Sequence, residues 1–345
     1  MRILIIDPLF AGDPDVEREI TGPDADIVVW PTGERGAVPA GELRLADAVV
    51  NCRSRNRIDA SDVASLDRCR IVSQAGVGFN HIDVEACAAR GIPVCNTPDY
   101  GTMEVADHAI ALMLSLTRGT VAYDRKLRDH HSGWVALGQT NVRRIDGRRF
   151  GVLGLGRIGL AAALRAKAFG MSVVFCDPYL APGIERALGF RRVDDAGALF
   201  AAADVVSLHT PLTPETERIV DAAVLRRAKP GLLLVNTCRG RVVDLDALYA
   251  SLRAEQIAGA GLDVLPDEPL TYGHPLIRAW AADEAWLDGR MVITPHAAFF
   301  SPDAVRDMRR LSMQTVVDFL RDGTLRACVN GGALRPDRGA PKAFG

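Results

Sequence analysis

The run from Arg149 to Tyr179, RFGVLGLGRIGLAAALRAKAFGMSVVFCDPY, constrains this chain more than any other stretch. Its apolar opening, Phe150 to Leu155, predicts a buried strand. Gly154-x-Gly156-x-x-Gly159 comes next, then a segment rich in Ala, Leu and Lys that predicts a helix from near Arg157. A second apolar run, Ser172 to Cys176, ends at Asp177, eighteen residues past Gly159. Strand, glycine turn, helix, strand and acid are the parts of a dinucleotide-binding unit. Gly154 permits the tight turn, Gly156 lets the backbone approach a pyrophosphate, and Gly159 lets helix and strand pack closely. The helix start turns unpaired N–H groups and its positive dipole end toward that anion. A carboxylate at Asp177 would accept the ribose hydroxyls of NAD and repel the 2′-phosphate of NADP, so NADH is expected over NADPH.

Among 345 residues with 32 glycines such a spacing can arise by chance, and the strand before it, the helix after it and the acid beyond give it weight. The length allows two domains, and a net charge of −2 gives nucleic acid or an anionic membrane no electrostatic hold. Lys126, Lys167, Lys229 and Lys342 are the only lysines among 41 cationic residues, a habit that lowers the weight of any single arginine. Seven scattered cysteines without a CxxC fit a reducing cytoplasm better than disulfides or zinc. The opening MRILIIDPLF is too short for a signal peptide and reads as a first strand ending at Asp7, and no stretch is long enough to span a bilayer.

From Met1 to about Asn96, apolar runs at 3–6, 27–30, 48–51, 71–73 and 94–96 alternate with helical patterns, which predicts a parallel sheet covered by helices. Between two of these strands lies Ser73-Gln74-Ala75-Gly76-Val77-Gly78-Phe79-Asn80, whose glycines make either an anion-binding nest or an ordinary turn. Residues 97–102 are dense in turn formers, and Pro98 to Thr102 reads as a hinge into a second domain. The helical run Met103 to Arg118 is apolar nearly all round, so it is expected in a core or against a partner subunit. Residues 119–148 read as polar and irregular, and His130-His131, with no acidic or Cys partner at ligand spacing, as a solvated loop rather than a metal site.

Further strands are expected at 205–208, 232–235, 259–264 and 291–293, with helices at 221–228 and 244–253, in one doubly wound sheet. The loops after these strands carry the candidate chemistry: Asn236-Thr237-Cys238-Arg239-Gly240, Asp263 to Pro269 and Thr294-Pro295-His296. An arginine grips a carboxylate bidentately and a histidine exchanges a proton near neutral pH, which singles out Arg239 and His296. Glu268 is the nearest loop acid able to fix the histidine tautomer. Ser301 to Leu320 reads as a helix with Ser301 as N-cap and Pro302 at its first position, and the tail 331–345 as disordered.

These residues carry a resemblance. From Ile3 to about Asn330 the chain resembles the D-isomer-specific 2-hydroxyacid dehydrogenases, most strongly in Gly154–Gly159, Val235–Asp244, Gly261–Pro269 and Thr294–Ala298. The resemblance implies two Rossmann-like doubly wound α/β domains, the nucleotide-binding one (101–296) inserted into a flavodoxin-like substrate-binding one (1–100 with 297–330). It implies catalysis by Arg239, Glu268 and His296, and an NAD site of Thr102, Gly154, Gly156, Arg157, Ile158, Gly159, Asp177, His209, Thr210, Pro211, Thr237, Cys238, Asp263 and His296, with Cys238 standing where the family usually has Ala or Ser. It places the substrate carboxylate on Gly76, Val77 and Gly78, and a homodimer on the helix Met103 to Arg118 and the arm after it. The implied reaction is reduction of a small 2-keto acid, or oxidation of the D-2-hydroxy acid, with hydride passing between NAD(H) and C2.

Two branches compete. RAKAFG, DPYL, ERALG, HAAFFS and ACVN are similar to the C-terminal binding proteins, which implies as an alternative an NAD(H)-sensing scaffold acting through protein contacts, with Phe299 in place of that branch's Trp. Arg53-Ser54-Arg55 instead resembles phosphoglycerate dehydrogenase, where Arg53 and Arg55 would meet a second acidic group on the substrate. No C-terminal regulatory domain is expected after the second domain, which in this reading sets that enzyme apart.

Overall fold

The computed structural model describes residues 1–53, 56–128, 134 and 141–334, which divide into two units: Met1–Gly101 with the segment from Phe300 onward, and Thr102–Phe299. In the first unit the predicted apolar runs become β1 (Arg2–Ile6), β2 (Asp26–Trp30), β3 (Ala48–Asn51), β4 (Ile71–Gln74) and β5 (Val94–Cys95). All pair in parallel in the order β2-β1-β3-β4-β5. This is the flavodoxin-like order, and its switch point lies between β1 and β3.

Alternation along each strand divides the core between the faces of the sheet. Leu4, Ile6, Val49, Val72 and Val94 serve one face, and Ile3, Ile5, Val50, Ile71 and Cys95 the other. The second face is closed by Met308, Met313, Val316 and Val317 of the helix Pro302–Asp322. Ser301 Oγ caps this helix by accepting the Ala304 N–H at 2.9 Å, with Pro302 in the first turn.

The second unit holds β6 (Arg149–Leu153), β7 (Ser172–Cys176), β8 (Arg191–Arg192), β9 (Val205–Leu208), β10 (Leu233–Asn236), β11 (Gly259–Leu262) and β12 (Met291–Ile293). They form one parallel sheet in the order β12-β11-β10-β9-β6-β7-β8. The chain runs outward from β6 to β8, returns, and runs outward again from β9 to β12, so the switch point lies between β6 and β9. Phe150, Val152, Phe175 and Val235 pack under the helices Thr102–Arg118 and Arg157–Ala168, and Leu153, Leu208, Leu234 and Leu262 pack on the opposite face.

Two expectations are corrected here. Residues 120–128, read as irregular, form a helix, Thr120–Arg128. It has no apolar stripe to betray it and is held by ion pairs instead: Arg125 to Asp283 and Asp288, and Lys126 to Asp288 at 2.6 Å. Of the predicted disordered tail, Gly331–Ala333 makes a 3-10 turn behind Asn330, whose side chain accepts the Val94 N–H at 2.9 Å and donates to the Ile92 carbonyl at 3.0 Å. Residues 335–345, Arg55, and the pair His130-His131 with most of the arm around it lie outside the described residues. Among the described residues no helix is long and apolar enough to cross a membrane.

Candidate active site

Register explains why scattered sequence positions converge. Cys176 pairs with Leu153, Leu153 with Leu208, Leu208 with Asn236, Asn236 with Leu262, and Leu262 with Ile293. Five lateral pairings therefore bring six strands to one level, and the next residue of each, Asp177, Gly154, His209, Thr237, Asp263 and Thr294, stands in one row along the carboxyl edge. The carboxyl edge of an open parallel sheet is where ligands bind.

At the switch point the glycines do different work. A Cβ on Gly154 would meet the His209 backbone at 3.0 Å, and one on Gly159 would fall 2.1 Å from the Gly154 carbonyl oxygen. Those two positions are closed by neighbouring backbone. Gly156 instead has nothing within 4 Å of a built Cβ and is the N-cap of Arg157–Ala168, so it faces open space at a helix N-terminus. Arg157 is exposed beside it, Ile158 half-buried. The Asp177 carboxylate accepts the Leu155 N–H at 2.9 Å and the Tyr179 N–H at 3.0 Å, which fixes it at the rim of the turn.

On this edge Thr237 Oγ1 is buried without a hydrogen-bond partner, and Thr210 Oγ1 has none but the Cys238 thiol. Buried polar groups are rarely left so. An open glycine turn, a fixed carboxylate and an orphaned hydroxyl along one sheet edge fit a dinucleotide. His209 hydrogen-bonds Ser207 Oγ through Nε2 at 2.8 Å, and burial pushes its imidazole down to about 4, so the ring is neutral at pH 7. The Cys238 thiol lies 3.1 Å from Asn236 Oδ1, and burial raises its pKa, so this residue packs as a thiol.

The candidate catalytic side chains stand beyond the next strands. Glu268 Oε2 lies 2.6 Å from His296 Nδ1, and Glu268 Oε1 accepts the Leu265 N–H at 3.1 Å. Burial alone would raise the Glu268 carboxyl, but the bond and charge of His296, the Leu265 amide and the charge of Arg239 outweigh it and hold its pKa below the usual value. An ionised carboxylate only accepts, so Nδ1 of His296 carries the proton of this bond and Nε2 is left to exchange one. Gly240 joins the Arg239 loop to the Glu268 loop: a Cβ there would lie 1.9 Å from the Leu265 carbonyl carbon.

His296 has φ +52, in the left-handed region, a conformation costing about 1–3 kcal/mol that persists only where its surroundings impose it. Asp263 imposes it. Its backbone oxygen accepts the His296 N–H at 2.8 Å, and its carboxylate accepts the Ala297 and Ala298 N–H groups at 2.9 and 3.0 Å. Thr294 Oγ1 lies 2.6 Å from the same carboxylate, and His108 Nε2 lies 2.9 Å from Thr294 Oγ1. Sequence reasoning missed His108 altogether. The Phe299 ring meets that of His296 edge-on, with centroids 6.3 Å apart.

Thr102 opens the helix Thr102–Arg118, and Pro211 comes after Thr210 on the β9 loop. Other candidates belong to the first unit. Arg53 is exposed, two residues beyond β3 beside that sheet's switch point, and its carbonyl accepts from Asn51 Nδ2 at 3.3 Å. The Gly76 amide donates to the Gln74 carbonyl at 2.9 Å, so the nest reading falls on the amides of Val77 and Gly78.

Comparison with known proteins adds three findings. The model of the D-isomer specific 2-hydroxyacid dehydrogenase NAD binding domain matches residues 110–298. The chain is 37% identical over 295 residues, 85% of its length, to the D-3-phosphoglycerate dehydrogenase of Mycobacterium tuberculosis, and 38% identical over 282 residues to the glyoxylate reductase of Korarchaeum cryptofilum, covering 81% of each. Its fold matches, with a TM-score of 0.80, 30% identity and 97% and 98% of the two chains covered, an NADPH-dependent glyoxylate/hydroxypyruvate reductase from Sinorhizobium meliloti solved with NADP and malonate. The chain spans about half, 51%, of the mycobacterial protein. This likeness corrects the expectation that set phosphoglycerate dehydrogenase apart, because that expectation turned on a domain outside the matched stretch, whereas the matched residues themselves are alike.

Proposed function

Because the chain belongs to the D-isomer specific 2-hydroxyacid dehydrogenase family, we propose that it interconverts a small 2-keto acid and its D-2-hydroxy acid, using NAD(H). The observation that carries the reading is the His296–Glu268 hydrogen bond, on loops of the sheet edge that also bears the glycine turn. When bound, the dinucleotide supplies or accepts the hydride. Gly154, Gly156, Arg157, Ile158, Gly159, Asp177, His209, Thr210, Pro211, Thr237 and Asp263 would hold it, with Thr102 toward its phosphates.

In the reductive direction, His296 gives its Nε2 proton to the substrate oxygen as that oxygen gains negative charge. Glu268 keeps the imidazole in the required tautomer, with Nε2 free to face the substrate. Arg239 supplies a planar, permanently charged group for the substrate carboxylate. Asp177 favours NADH, although the Sinorhizobium reductase is described as NADPH-dependent. Arg53, together with Arg55, favours a substrate with a second acidic group, in line with the name of the mycobacterial relative. The named relatives are enzymes, and the scaffold alternative is set aside. Exposed Met103, Val121 and Leu127 support a homodimer through this face, which sedimentation as a monomer at micromolar concentration would overturn.

The test is NADH oxidation at 340 nm with glyoxylate, hydroxypyruvate, pyruvate, phosphohydroxypyruvate and 2-ketoglutarate, each repeated with NADPH and with His296→Ala. Turnover of at least one acid that falls by two orders of magnitude in His296→Ala, with NADH affinity kept, supports the reading. Full turnover in that variant removes His296 from the mechanism.

A further inference from the structure

We propose that His108, on the helix Thr102–Arg118, is a positioning residue for His296, acting through a chain of hydrogen bonds that runs by way of Thr294 and Asp263. The inference rests on His296 being the proton donor and assigns the group that holds its loop in shape.

The direction of each bond comes from donor counting. Asp263 is buried, and its carboxylate accepts from the Ala297 and Ala298 amides. Thr294 has one hydroxyl proton, and with Oγ1 at 2.6 Å from Asp263 Oδ1 that proton goes to the carboxylate. The lone pairs of Thr294 Oγ1 are then what His108 meets at 2.9 Å, so His108 Nε2 must be the donor. The same nitrogen lies 3.5 Å from Asp263 Oδ1, close enough to add a direct attraction. A donor on a helix thus orients a hydroxyl, the hydroxyl orients a carboxylate, and the carboxylate clamps the two amides after His296. That is the segment bent into the left-handed region at φ +52.

The helix reaches this edge because β11 lets it come close. A Cβ on Gly261 would meet Leu112 Cβ at 3.0 Å, so glycine there sets the distance between helix and strand. His108 lies one helical turn before Leu112 and projects toward the end of β12, where Thr294 begins the catalytic loop. Linked polar groups in a partly buried site act as a unit, so loss of the first donor reaches the last acceptor. Groups that hold a functional side chain at one remove set its geometry as surely as direct contacts do.

The test compares His108→Ala, His108→Gln, Thr294→Val and His296→Ala in the full chain by two readouts. The first is steady-state turnover of the best keto acid beside NADH affinity by fluorescence titration. The second is hydrogen exchange at the amides of residues 296–298 without cofactor, with β10 amides as reference. His108→Ala and Thr294→Val are expected to lower kcat about tenfold, leave the NADH Kd within twofold, and speed exchange at 297 and 298 at least tenfold while β10 is unchanged. Gln keeps an amide N–H donor at similar reach, and His108→Gln is expected to recover both readouts to within about threefold. A catalytically dead His296→Ala beside a fully active His108→Ala overturns this inference alone, and a fully active His296→Ala overturns the functional reading beneath it. Should the alanine variant not fold, Thr294→Val and His108→Gln decide: wild-type exchange at 297 and 298 in Thr294→Val, or no recovery in His108→Gln, overturns the inference.

Discussion

Nδ1 of His296 and Oε2 of Glu268 are 2.6 Å apart, although the residues stand on loops after different strands, β12 and β11. Glu268→Gln keeps an oxygen that can accept the Nδ1 proton but removes the carboxylate charge beside the imidazole. Positioned proton transfer contributes about 10²–10⁴-fold, and the variant should lose roughly one to two of those orders of magnitude in kcat. Its NADH affinity should stay within about twofold. A kcat equal to wild type across the keto acids would leave Glu268 without a role in proton transfer.

Two glycines of one turn should fail in opposite ways. In Gly156→Ala the new methyl meets nothing within 4 Å, so thermal stability should match wild type while NADH affinity drops at least tenfold, because the methyl stands where a pyrophosphate approaches. In Gly159→Ala the methyl falls 2.1 Å from the Gly154 carbonyl oxygen, and backbone must move. That substitution should cost about 1–3 kcal/mol of folding stability, as well as NADH binding. Calorimetry and fluorescence titration of both variants check the contrast, and a stable Gly159→Ala would contradict the packing.

Asp177 takes two backbone N–H groups, from Leu155 and Tyr179, so its negative charge is fixed beside the glycine turn. Like charges brought together at a binding site cost several kcal/mol, which would disfavour a 2′-phosphate there. Asp177→Asn should keep the turn and lower the ratio of NADH to NADPH kcat/KM by at least about tenfold. An unaltered ratio would mean that another group reads the ribose.

Strand positions were legible because strands buried on both faces are short, continuous apolar runs, as at Val205–Leu208 and Ser172–Cys176. Glycine spacing and Asp177 made the turn legible for the same local reason. The row from Asp177 to Thr294 was not, since pairing register between strands leaves no mark in a single sequence. His108 was invisible because its partner Thr294 lies 186 residues away and one polar residue on an apolar helix looks incidental. Gly240 could have been found: a glycine directly after a candidate arginine invites the question of what backbone crosses it, and here that backbone is Leu265 and Pro266. The helix Thr120–Arg128 was lost because its ion-pair partners, Asp283 and Asp288, belong to a distant segment.

Acid should weaken the cofactor-free protein in two windows. The imidazole of His209 is lowered to about 4 by burial, against about 6.5 in an unfolded chain. Between those values the unfolded state binds the proton and the folded state does not, so stability falls as pH drops from about 6.5 to 4, by at most about 3 kcal/mol. Glu268 acts lower down. Its folded pKa is depressed, so its contribution is present above the ordinary carboxylate value and is lost as pH falls through the depressed one. Urea titrations at pH 7.5, 5.5, 4 and 3 separate the two: His209→Asn should flatten the slope between 6.5 and 4, and Glu268→Gln should leave that slope alone and flatten only the fall below it. If the slope of His209→Asn matches wild type across the upper window, the buried neutral imidazole is not what makes this fold acid-sensitive.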